Sequence, residues 1–451
     1  MDKYLELRNK YDTFIYEGYN VEEKDNKTII TYDFNVPNLT HYYPTLELYK
    51  FELTEFTKYL IFHIGLVVLI SYWKATCSKN VIIKAGYINE EQIDFFKKLY
   101  FHGLGELFYT NGIEPNYEDF MNITCVIEPT NINIPNYNGI GNLIPIGGGK
   151  DSNVSLELLK NSFEDNNAFI INPKEVTLKC AELAGYDESN TITVKRTIDK
   201  NLIEINKQGF INGHTPFSAL VAFISYLCAY INNKKYIVLS NESSANESNV
   251  AGTKINHQYS KTYEFENDFN EYTKKYFQIN IKYFSLLRPL TEYQIAMLFS
   301  KYEKYHNVFK SCNVGSKSLP WKWCCNCPKC LFVFIILSPF LYKEKLINIF
   351  GEDLFEKEEL LKTFVELCGY GETKPFECVG TFKEIRYAVS KTIEYIKENS
   401  LDMPYLLKYY DDNFEKVLDD SLLKYYNNNN NLPEEFEKIL KERLGLWLKI
   451  Y

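Results

Sequence analysis

An apolar strand that runs directly into three glycines and then into a helix is the feature that most constrains the fold of this chain. Asn142 is followed by four apolar residues at 143–146, residues 147–149 are all glycine, and a helical pattern begins at Asp151. Further apolar strands at residues 168–171 and 235–239 alternate with helical segments. Repeated alternation of strand, turn and helix is typical of parallel sheets with crossover helices, so the sequence predicts an α/β fold.

The length and the change of pattern along the chain predict three regions. At roughly 150 residues per domain, 451 residues suffice for about three folding units. Residues 1–135 are expected to form an N-terminal α+β domain, with substrate binding as a possible role. Residues 136–340 carry the parallel sheet. Residues 341–451 have a charged helical pattern and are expected to form a C-terminal helical region.

The charge balance limits the kind of ligand that this chain can bind. Fifty Lys and Arg residues stand against 59 Asp and Glu residues, which gives a net charge of −9. Without a general positive field, a phosphate-bearing ligand must be bound by a local cluster of groups. A small, highly charged substrate is therefore favoured, and no nucleic-acid partner is expected.

No segment has the pattern of an export signal or of a membrane span. Residues 1–6 carry charges where a signal peptide needs an apolar core. The apolar stretch at residues 59–73 is shorter than the ~20 residues that cross a bilayer, and it contains His63. We therefore expect a cytoplasmic protein without membrane insertion, with residues 59–73 buried in its core. The sequence leaves the oligomeric state open.

Four cysteines have the spacing of a metal site: Cys312, Cys324, Cys327 and Cys330. Thiolates at such spacing suit a tetrahedral structural Zn²⁺, and a reducing compartment keeps them available. Four ligands fill the coordination sphere, so the metal would stabilise the fold rather than activate water. Cys325 is interpreted as a packing residue, with an alternative ligand as the other possibility. Free thiols or disulfides remain the alternative for the whole cluster.

The glycine turn at residues 147–149 is a candidate phosphate site. Glycines let the backbone wrap a polyphosphate, the helix N-terminus supplies free N–H groups, and Lys150 adds positive charge. The spacing does not match the G-x-x-x-x-G-K-[ST] pattern of Walker A loops. A plain strand-to-helix turn capped by Asp151 or Ser152 is the structural alternative.

A second polar loop, residues 240–249, follows the strand at residues 235–239. Ligands of open α/β sheets bind beyond the carboxyl ends of the strands, where this loop is expected to lie. Its Asn241, Glu242 and Glu247 are candidates for contacting a sugar, Mg²⁺ or an amine. A solvated turn without a ligand is an equally good interpretation of this loop. His214, near the start of the preceding helix, is a candidate acid or base, but a lone histidine there is often structural.

Several segments together resemble known families. Residues 147–152 resemble the Ser-Gly-Gly-x-Asp-Ser PP-loop of ATP pyrophosphatases, with Gly147 in place of the serine, and the cysteine spacing resembles the zinc site of 7-cyano-7-deazaguanine synthases. With residues 240–249, 323–330 and 374–380, the chain resembles the UDP-N-acetyl-α-D-muramoyl-L-alanyl-L-glutamate epimerases of the MurL type. The resemblance implies a PP-loop core of HUP, Rossmann-like topology.

The same resemblance implies a reaction. It implies ATP and Mg²⁺ as cofactors and UDP-MurNAc-L-Ala-L-Glu as a small-molecule substrate in peptidoglycan precursor synthesis. ATP would adenylate the terminal glutamate, AMP and diphosphate would be released, and L-Glu would be converted to D-Glu.

The motifs also supply candidate site residues. The glycine turn and the second polar loop give a set of nucleotide-binding candidates: Gly147, Gly148, Gly149, Lys150, Asp151, Ser152, Asn241 and Glu242. Lys150 is expected to neutralise transition-state charge, and Asp151 to hold Mg²⁺ or orient the phosphates. His214 and Glu247 are the candidates for moving the Cα proton, on their placement alone.

Two other functions remain open at this point. One is a nucleobase- or tRNA-modifying ATP pyrophosphatase that amidates or thiolates its substrate, as 7-cyano-7-deazaguanine synthases do. The zinc-site resemblance favours it, whereas the negative net charge and residues 374–380 argue against it. The other is a nucleotide-sensing scaffold stabilised by zinc, which would bind ATP without turning it over.

Overall fold

A computed structural model describes residues 3–246, 256, 259–317, 320–371 and 374–447. These residues form eleven strands: β1 Thr13–Lys24, β2 Lys27–Val36, β3 Thr40–Tyr42, β4 Thr45–Tyr49, β5 Asn80–Ile83, β6 Asn122–Cys125, β7 Asn142–Pro145, β8 Asn166–Ile171, β9 Thr191–Thr197, β10 Tyr236–Leu239 and β11 Lys282–Ser285. They also form sixteen α-helices: α1 Lys3–Lys10, α2 Glu55–Trp73, α3 Glu90–Gly103, α4 Gly105–Thr110, α5 Lys150–Leu159, α6 Glu175–Ala184, α7 Lys200–Lys207, α8 Phe217–Ile231, α9 Tyr263–Tyr276, α10 Glu292–Phe299, α11 Pro328–Leu337, α12 Lys343–Phe350, α13 Leu361–Leu367, α14 Phe382–Glu398, α15 Tyr405–Asn413 and α16 Glu434–Trp447.

All eleven strands belong to one mixed sheet in the order β11-β10-β7-β8-β9-β4-β2-β1-β5-β6, with β3 paired to β2. The strands from β11 to β9 are parallel, as are β1, β5 and β6. Antiparallel pairing of β4 with β9 joins the N-terminal strands to the rest of the sheet. The α/β class predicted from the sequence is confirmed, and the sheet is continuous from the N-terminal region into the parallel block.

The parallel block from β11 to β9 has a doubly wound strand order. The chain starts at β7, moves through β8 to β9 on one side, and then returns to place β10 and β11 on the other side. The direction of winding thus reverses between β7 and β10. In open α/β sheets, ligands bind at such a switch point, beyond the carboxyl ends of the strands.

Both faces of the parallel block are covered, because successive side chains of its strands enter two separate hydrophobic cores. Leu143 of β7 and Ile237 of β10 belong to the core that also contains α2, α8 and α9. Their neighbours Ile144 and Val238 belong to the core beneath α5, α6, α10 and α11. A strand buried on both faces has a continuous apolar sequence rather than an alternating one, which is the pattern seen at residues 143–146.

Helix α2 contains the apolar stretch that the sequence analysis assigned to the core. By length and composition, this one helix of the described part of the chain could cross a bilayer, but 89% of its most apolar window is buried within the protein. Thr54 caps the helix, and Thr54 and Thr57 exchange side-chain and backbone hydrogen bonds. The helix packs against α8 and against β1 and β2, so the predicted burial is confirmed.

Helices α12 to α16 form the C-terminal region, where the described residues contain no strand. Helix α14 begins after Thr381, which caps it in a reciprocal arrangement with Glu384, and it packs on α11 and α10. The loop before α14 thereby reaches the parallel block at the carboxyl ends of its strands. The C-terminal region thus contributes to the site described next.

Candidate active site and metal centre

A cleft of about 460 Å³ lies at the carboxyl ends of β7, β8 and β10. The loops after these strands supply one side of its lining, including Gly147, Asn172 and Asn241. Residues from distant segments, including Ser311 and Cys378, supply the other side. The cleft therefore occupies the switch point of the sheet, where the strand order predicts a ligand.

The glycine turn lines the cleft through Gly147 and Gly149. Gly148 has a φ of +83°, in the left-handed region, and a Cβ there would lie 3.3 Å from the side chains of Val176 and Thr177. The carbonyl oxygen of Gly148 accepts a hydrogen bond from Lys310 N at 3.0 Å. Gly149 is the N-cap of α5 and makes no side-chain capping bond. The first N–H groups of α5 are thus left without a side-chain cap, as in helix N-termini that bind anions.

Lys150 is enclosed between two carboxylates. Its side chain is 2% exposed and donates hydrogen bonds to Asp151 and Glu292. Burial alone would lower the pKa of Lys150, but these two carboxylates raise it above the ordinary value. Direct contact between Lys150 and a ligand stays a prediction, whereas Asp151 and Glu292 both line the cleft.

The pKa values of the two carboxylates that flank Lys150 are shifted in opposite directions. Burial would raise the pKa of Asp151, but the charges of Lys150 and Lys329 outweigh it and lower that pKa. Burial raises the pKa of Glu292, and Lys150 does not cancel this because Asp151 and Glu242 lie nearby. The pKa of Glu292 is therefore shifted upward and that of Asp151 downward, although both carboxylates contact the same ammonium.

Glu292 and Glu384 are buried residues that the sequence analysis did not single out for the site. Glu384 is 2% exposed and accepts a hydrogen bond from Glu292 N at 2.6 Å. Its other oxygen accepts from Thr381 N at 2.6 Å, and burial raises the pKa of Glu384. The available signal was Glu292 itself, a carboxylate at the start of the mostly apolar helix α10.

Two lysines from separate segments also line the cleft. Lys329, 6% exposed, donates a hydrogen bond to the carbonyl oxygen of Cys378, and Lys261 donates to the Cys378 Sγ at 3.0 Å. With Asp151 and Glu242, these groups place cations and carboxylates around one cavity. Such a set suits a polyphosphate that carries a divalent cation.

The loop after β10 holds Asn241 and Glu242 at the cleft, as predicted for their position. Glu242 is 4% exposed, and its carbonyl oxygen accepts a hydrogen bond from the Arg288 guanidinium at 3.1 Å. Arg288 is itself fully buried and pairs with Glu266 at 3.1 Å. The predicted proton-transfer residue Glu247 lies outside the described residues.

His214 lies apart from this cleft. Its Nδ1 is 3.7 Å from Glu106 Oε2, and it is absent from the described residues that line the cavity. Phe217 and Ser218, at the start of α8, do line it. A role for His214 in moving a proton stays a prediction.

The four predicted metal ligands come together. The Sγ atoms of Cys312, Cys324, Cys327 and Cys330 all lie within 4.8 Å of one another. Three of the Sγ–Sγ distances are 3.5, 3.7 and 3.7 Å. Zinc–sulfur bonds of about 2.3 Å in a tetrahedron require sulfur atoms about 3.8 Å apart, so the cluster fits Zn²⁺. The arrangement is that of a possible metal-binding site.

Cys325 does not join the cluster. Its φ of +56° turns the side chain away, and its Sγ donates to the Phe350 carbonyl oxygen at 3.3 Å. The interpretation of Cys325 as a packing residue agrees with this placement.

The cysteine cluster adjoins the cleft. Ser311 precedes Cys312, and Lys329 stands between Cys327 and Cys330, and both Ser311 and Lys329 line the cavity. The Ser311 Oγ is buried without a hydrogen-bond partner among the described residues. A Cβ at Gly149 would lie 3.4 Å from the Ser311 Cβ, so this hydroxyl stands beside the glycine turn.

The fold and the site define a doubly wound α/β protein with a glycine turn and a charged cleft at its switch point, and a four-cysteine cluster beside them. Two family models match the chain: the MurL N-terminal domain over residues 6–286 and the MurL C-terminal domain over residues 308–416. The chain therefore belongs to the MurL family.

Curated relatives carry a specific name. A protein of Xanthomonas oryzae pv. oryzae is 35% identical over 333 residues, which is 72% of each chain. A protein of Micromonospora sp. is 35% identical over 329 residues, again 72% of each chain, and one of Salinispora tropica is 33% identical over 328 residues, 71% of this chain and 70% of the relative. All three are named UDP-N-acetyl-alpha-D-muramoyl-L-alanyl-L-glutamate epimerase. No solved structure matches the chain.

Proposed function

We propose that this protein converts the terminal L-Glu of UDP-MurNAc-L-Ala-L-Glu to D-Glu at the expense of ATP, by way of an acyl-adenylate, with release of AMP and diphosphate. The observation that carries the proposal is the glycine turn at the switch-point cleft, in a chain whose relatives are named as epimerases of this substrate. The doubly wound order is also the one expected for a PP-loop core of Rossmann-like topology.

Adenylation gives an isomerase a reason to bind ATP. Removing the Cα proton next to a carboxylate would add a second negative charge beside the first. An acyl-adenylate carries no charge at its carbonyl group, so the carbonyl oxygen can accept the charge that develops when the proton leaves. Transfer of AMP to the glutamate therefore acidifies the Cα–H bond, and water later releases AMP from the epimerised product.

The residues of the cleft suit ATP and Mg²⁺. The glycine turn and the first N–H groups of α5 would hold the phosphates, with Ser152 beside them. The carboxylates of Asp151 and Glu242 are hard oxygen ligands of the kind that Mg²⁺ prefers. Lys261 and Lys329 add positive charge around the leaving diphosphate.

The test is a reaction in D₂O with ATP, Mg²⁺ and UDP-MurNAc-L-Ala-L-Glu. We expect D-Glu that carries deuterium at Cα, formed together with AMP and diphosphate. Chiral analysis of the released glutamate, mass spectrometry and AMP quantification provide the three readouts. Unchanged L-Glu without AMP, from protein that binds ATP, would contradict the proposal and direct attention to nucleobase acids and tRNA as substrates.

The variant Asp151→Asn tests in the same reaction whether Asp151 belongs to the nucleotide site. Asparagine has the same shape but lacks the charge proposed to hold Mg²⁺, so diphosphate release should fall by at least about 100-fold. Circular dichroism should show the same secondary structure as the unsubstituted protein. Full activity of Asp151→Asn would remove Asp151 from the nucleotide site.

Ser311→Ala tests whether a hydroxyl from a distant segment replaces the one missing at Gly147. The buried Ser311 Oγ has no described partner and adjoins the glycine turn, so it is available to a phosphate oxygen. A hydrogen bond to a charged group contributes about 1.5–3 kcal/mol, and its loss should weaken nucleotide binding by roughly 10- to 100-fold. Calorimetric titration with α,β-methylene-ATP measures this.

A second substitution makes this prediction more specific. A Cβ at Gly147 would meet no atom within 4 Å, so serine fits there. Gly147→Ser should restore much of the affinity lost in Ser311→Ala. Ser316→Ala, a cleft residue whose hydroxyl already donates to Asn313 O at 2.7 Å, should change the affinity little. Equal affinities for Ser311→Ala and the unsubstituted protein would contradict the role of Ser311.

A further inference from the structure

The cleft contains a thiol that the mechanism above does not use. Cys378 precedes α14, is half-buried, and is the one cysteine among the described residues that line the cavity. The Lys261 Nζ donates to its Sγ at 3.0 Å, and Lys329 donates to its carbonyl oxygen. The backbone and the thiol of Cys378 are therefore each held by a lysine on the wall of the nucleotide cleft.

The position of Lys261 is itself fixed. Its carbonyl oxygen accepts a hydrogen bond from the Arg288 guanidinium at 2.6 Å, and Arg288 is fully buried against Glu266. Burial alone would lower the pKa of Lys261, but the neighbouring Cys378 and Glu242 raise it above the ordinary value. The main chain of Lys261 is thus held in place, its ammonium contacts the Cys378 sulfur, and a neighbouring ammonium favours the thiolate form of a cysteine.

The described carboxylates that line the cleft have hydrogen-bond partners other than Cys378. Glu377 accepts a hydrogen bond from Asn313 Nδ2 at 2.9 Å, and Glu242 accepts one from Ser244 Oγ at 3.3 Å. Asp151 and Glu292 share the buried ammonium of Lys150. His214 lies outside the lining of the cavity and 3.7 Å from Glu106. Cys378 differs from these carboxylates in bringing a thiol to the cavity, next to the Lys261 ammonium, and a thiol is basic as the thiolate.

We propose that the Cys378 thiolate moves the Cα proton on one face of the adenylated glutamate, and that Lys261 is a positioning residue that holds Cys378 as the thiolate. The inference rests on the proposed function, because the substrate of the step is the acyl-adenylate.

The step conserves atoms and electrons. The Cα–H bond breaks and an S–H bond forms on Cys378, while the electron pair enters the Cα–C bond and the negative charge moves to the carbonyl oxygen. A proton derived from solvent then forms the new Cα–H bond on the opposite face. The thiol returns its proton to water, so each turnover takes one proton from solvent and releases one.

The experiment separates adenylation from proton transfer. Substrate-dependent exchange of labelled diphosphate into ATP reports adenylation, and deuterium incorporation at Cα with chiral analysis reports proton transfer. Cys378→Ala should keep diphosphate exchange within about threefold and lose deuterium incorporation and D-Glu formation by about 10²- to 10⁴-fold. Cys378→Ser should lose proton transfer in the same way, because a hydroxyl is a far weaker base at neutral pH. Cys125→Ala, at a half-buried cysteine outside the cleft, should change neither reaction.

The outcomes distinguish this inference from the proposed function. If the unsubstituted protein catalyses no substrate-dependent diphosphate exchange, the proposed function fails. If it epimerises and Cys378→Ala epimerises within threefold of it, the role of Cys378 is overturned. If Cys378→Ala and Cys378→Ser both lose diphosphate exchange as well, Cys378 acts in adenylation or folding, and the proton-transfer role is likewise overturned.

The role of Lys261 has a readout that does not depend on turnover. The alkylation rate of Cys378 by iodoacetamide, followed by peptide mass spectrometry, reports how much thiolate is present. Lys261→Gln should slow this reaction by about tenfold, Lys261→Arg should restore most of the rate, and the alkylation of Cys125 should not change. An unaltered rate for Cys378 in Lys261→Gln would overturn the role of Lys261.

Discussion

Lys150→Met is expected to lower the free energy of unfolding by about 3–5 kcal/mol and to abolish diphosphate release. Lys150 is 2% exposed and is the cation that compensates Asp151 and Glu292. Removing one partner of a buried ionic cluster leaves the remaining charge in a medium that solvates it poorly. The loss of stability from such a change is about 3–5 kcal/mol. Urea denaturation followed by circular dichroism measures the change in stability.

Two further variants assign this loss to the buried cluster. Lys150→Met combined with Glu292→Gln removes one of the uncompensated carboxylates, so more than half of the lost stability should return while diphosphate release stays absent. Lys160→Met removes an ion pair with Glu157 at 2.8 Å from a side chain that is 29% exposed, and Lys304 still pairs with Glu157. That change should cost less than about 1 kcal/mol. Equal stability of Lys150→Met and Lys160→Met would contradict the argument.

Removing the predicted metal is expected to have the second large effect. Protein purified without chelator should contain one zinc per chain, and Cys327→Ser should contain none. Structural zinc sites supply about 10–16 kcal/mol of binding free energy, which becomes folding free energy where the site does not exist in the unfolded chain. The segment that carries Ser311 and Lys329 should therefore lose its structure, and nucleotide binding should be lost with it. Elemental analysis, thermal unfolding and calorimetric titration measure the three effects.

Cys325→Ser is the matched control for Cys327→Ser. Cys325 lies two residues away but bonds to the Phe350 carbonyl oxygen and stands outside the cluster. It should retain one zinc per chain and bind nucleotide normally. Loss of zinc in Cys325→Ser would make Cys325 a ligand, and full stability of zinc-free Cys327→Ser would contradict the structural role of the metal.

The local part of the site was predictable from the sequence. The glycine turn follows β7 and opens α5, and the loop after β10 brings Asn241 and Glu242 to the same cleft. Both follow from a general rule, because the carboxyl ends of parallel strands meet at one edge of the sheet. The clustering of the four cysteines was equally accessible, since three of the four are near neighbours in the chain and their spacing is typical of a metal site.

The remote part of the site was not predictable in this way. Glu292 reaches Lys150 across 142 residues, and Cys378 reaches Lys261 across 117. Lys150 and Cys378 lie in segments that the sequence singled out, but nothing in the sequence indicated that Glu292 or Lys261 would be their partners. The position of His214 before α8 suggested the cleft, and the structure places its Nδ1 3.7 Å from Glu106 Oε2, so its role stays a prediction.

The sequence by itself determined the α/β class, the glycine turn, the burial of α2 and the identity of the four cysteines. These features are encoded by periodicity and spacing within short segments, where backbone geometry and coordination chemistry leave few alternatives. The tertiary structure alone decided that one sheet joins the N-terminal strands to the parallel block through β4 and β9. It alone also brought Glu292, Lys261 and Cys378 around one cavity, because contacts between distant segments depend on the packing of the whole chain rather than on any local pattern.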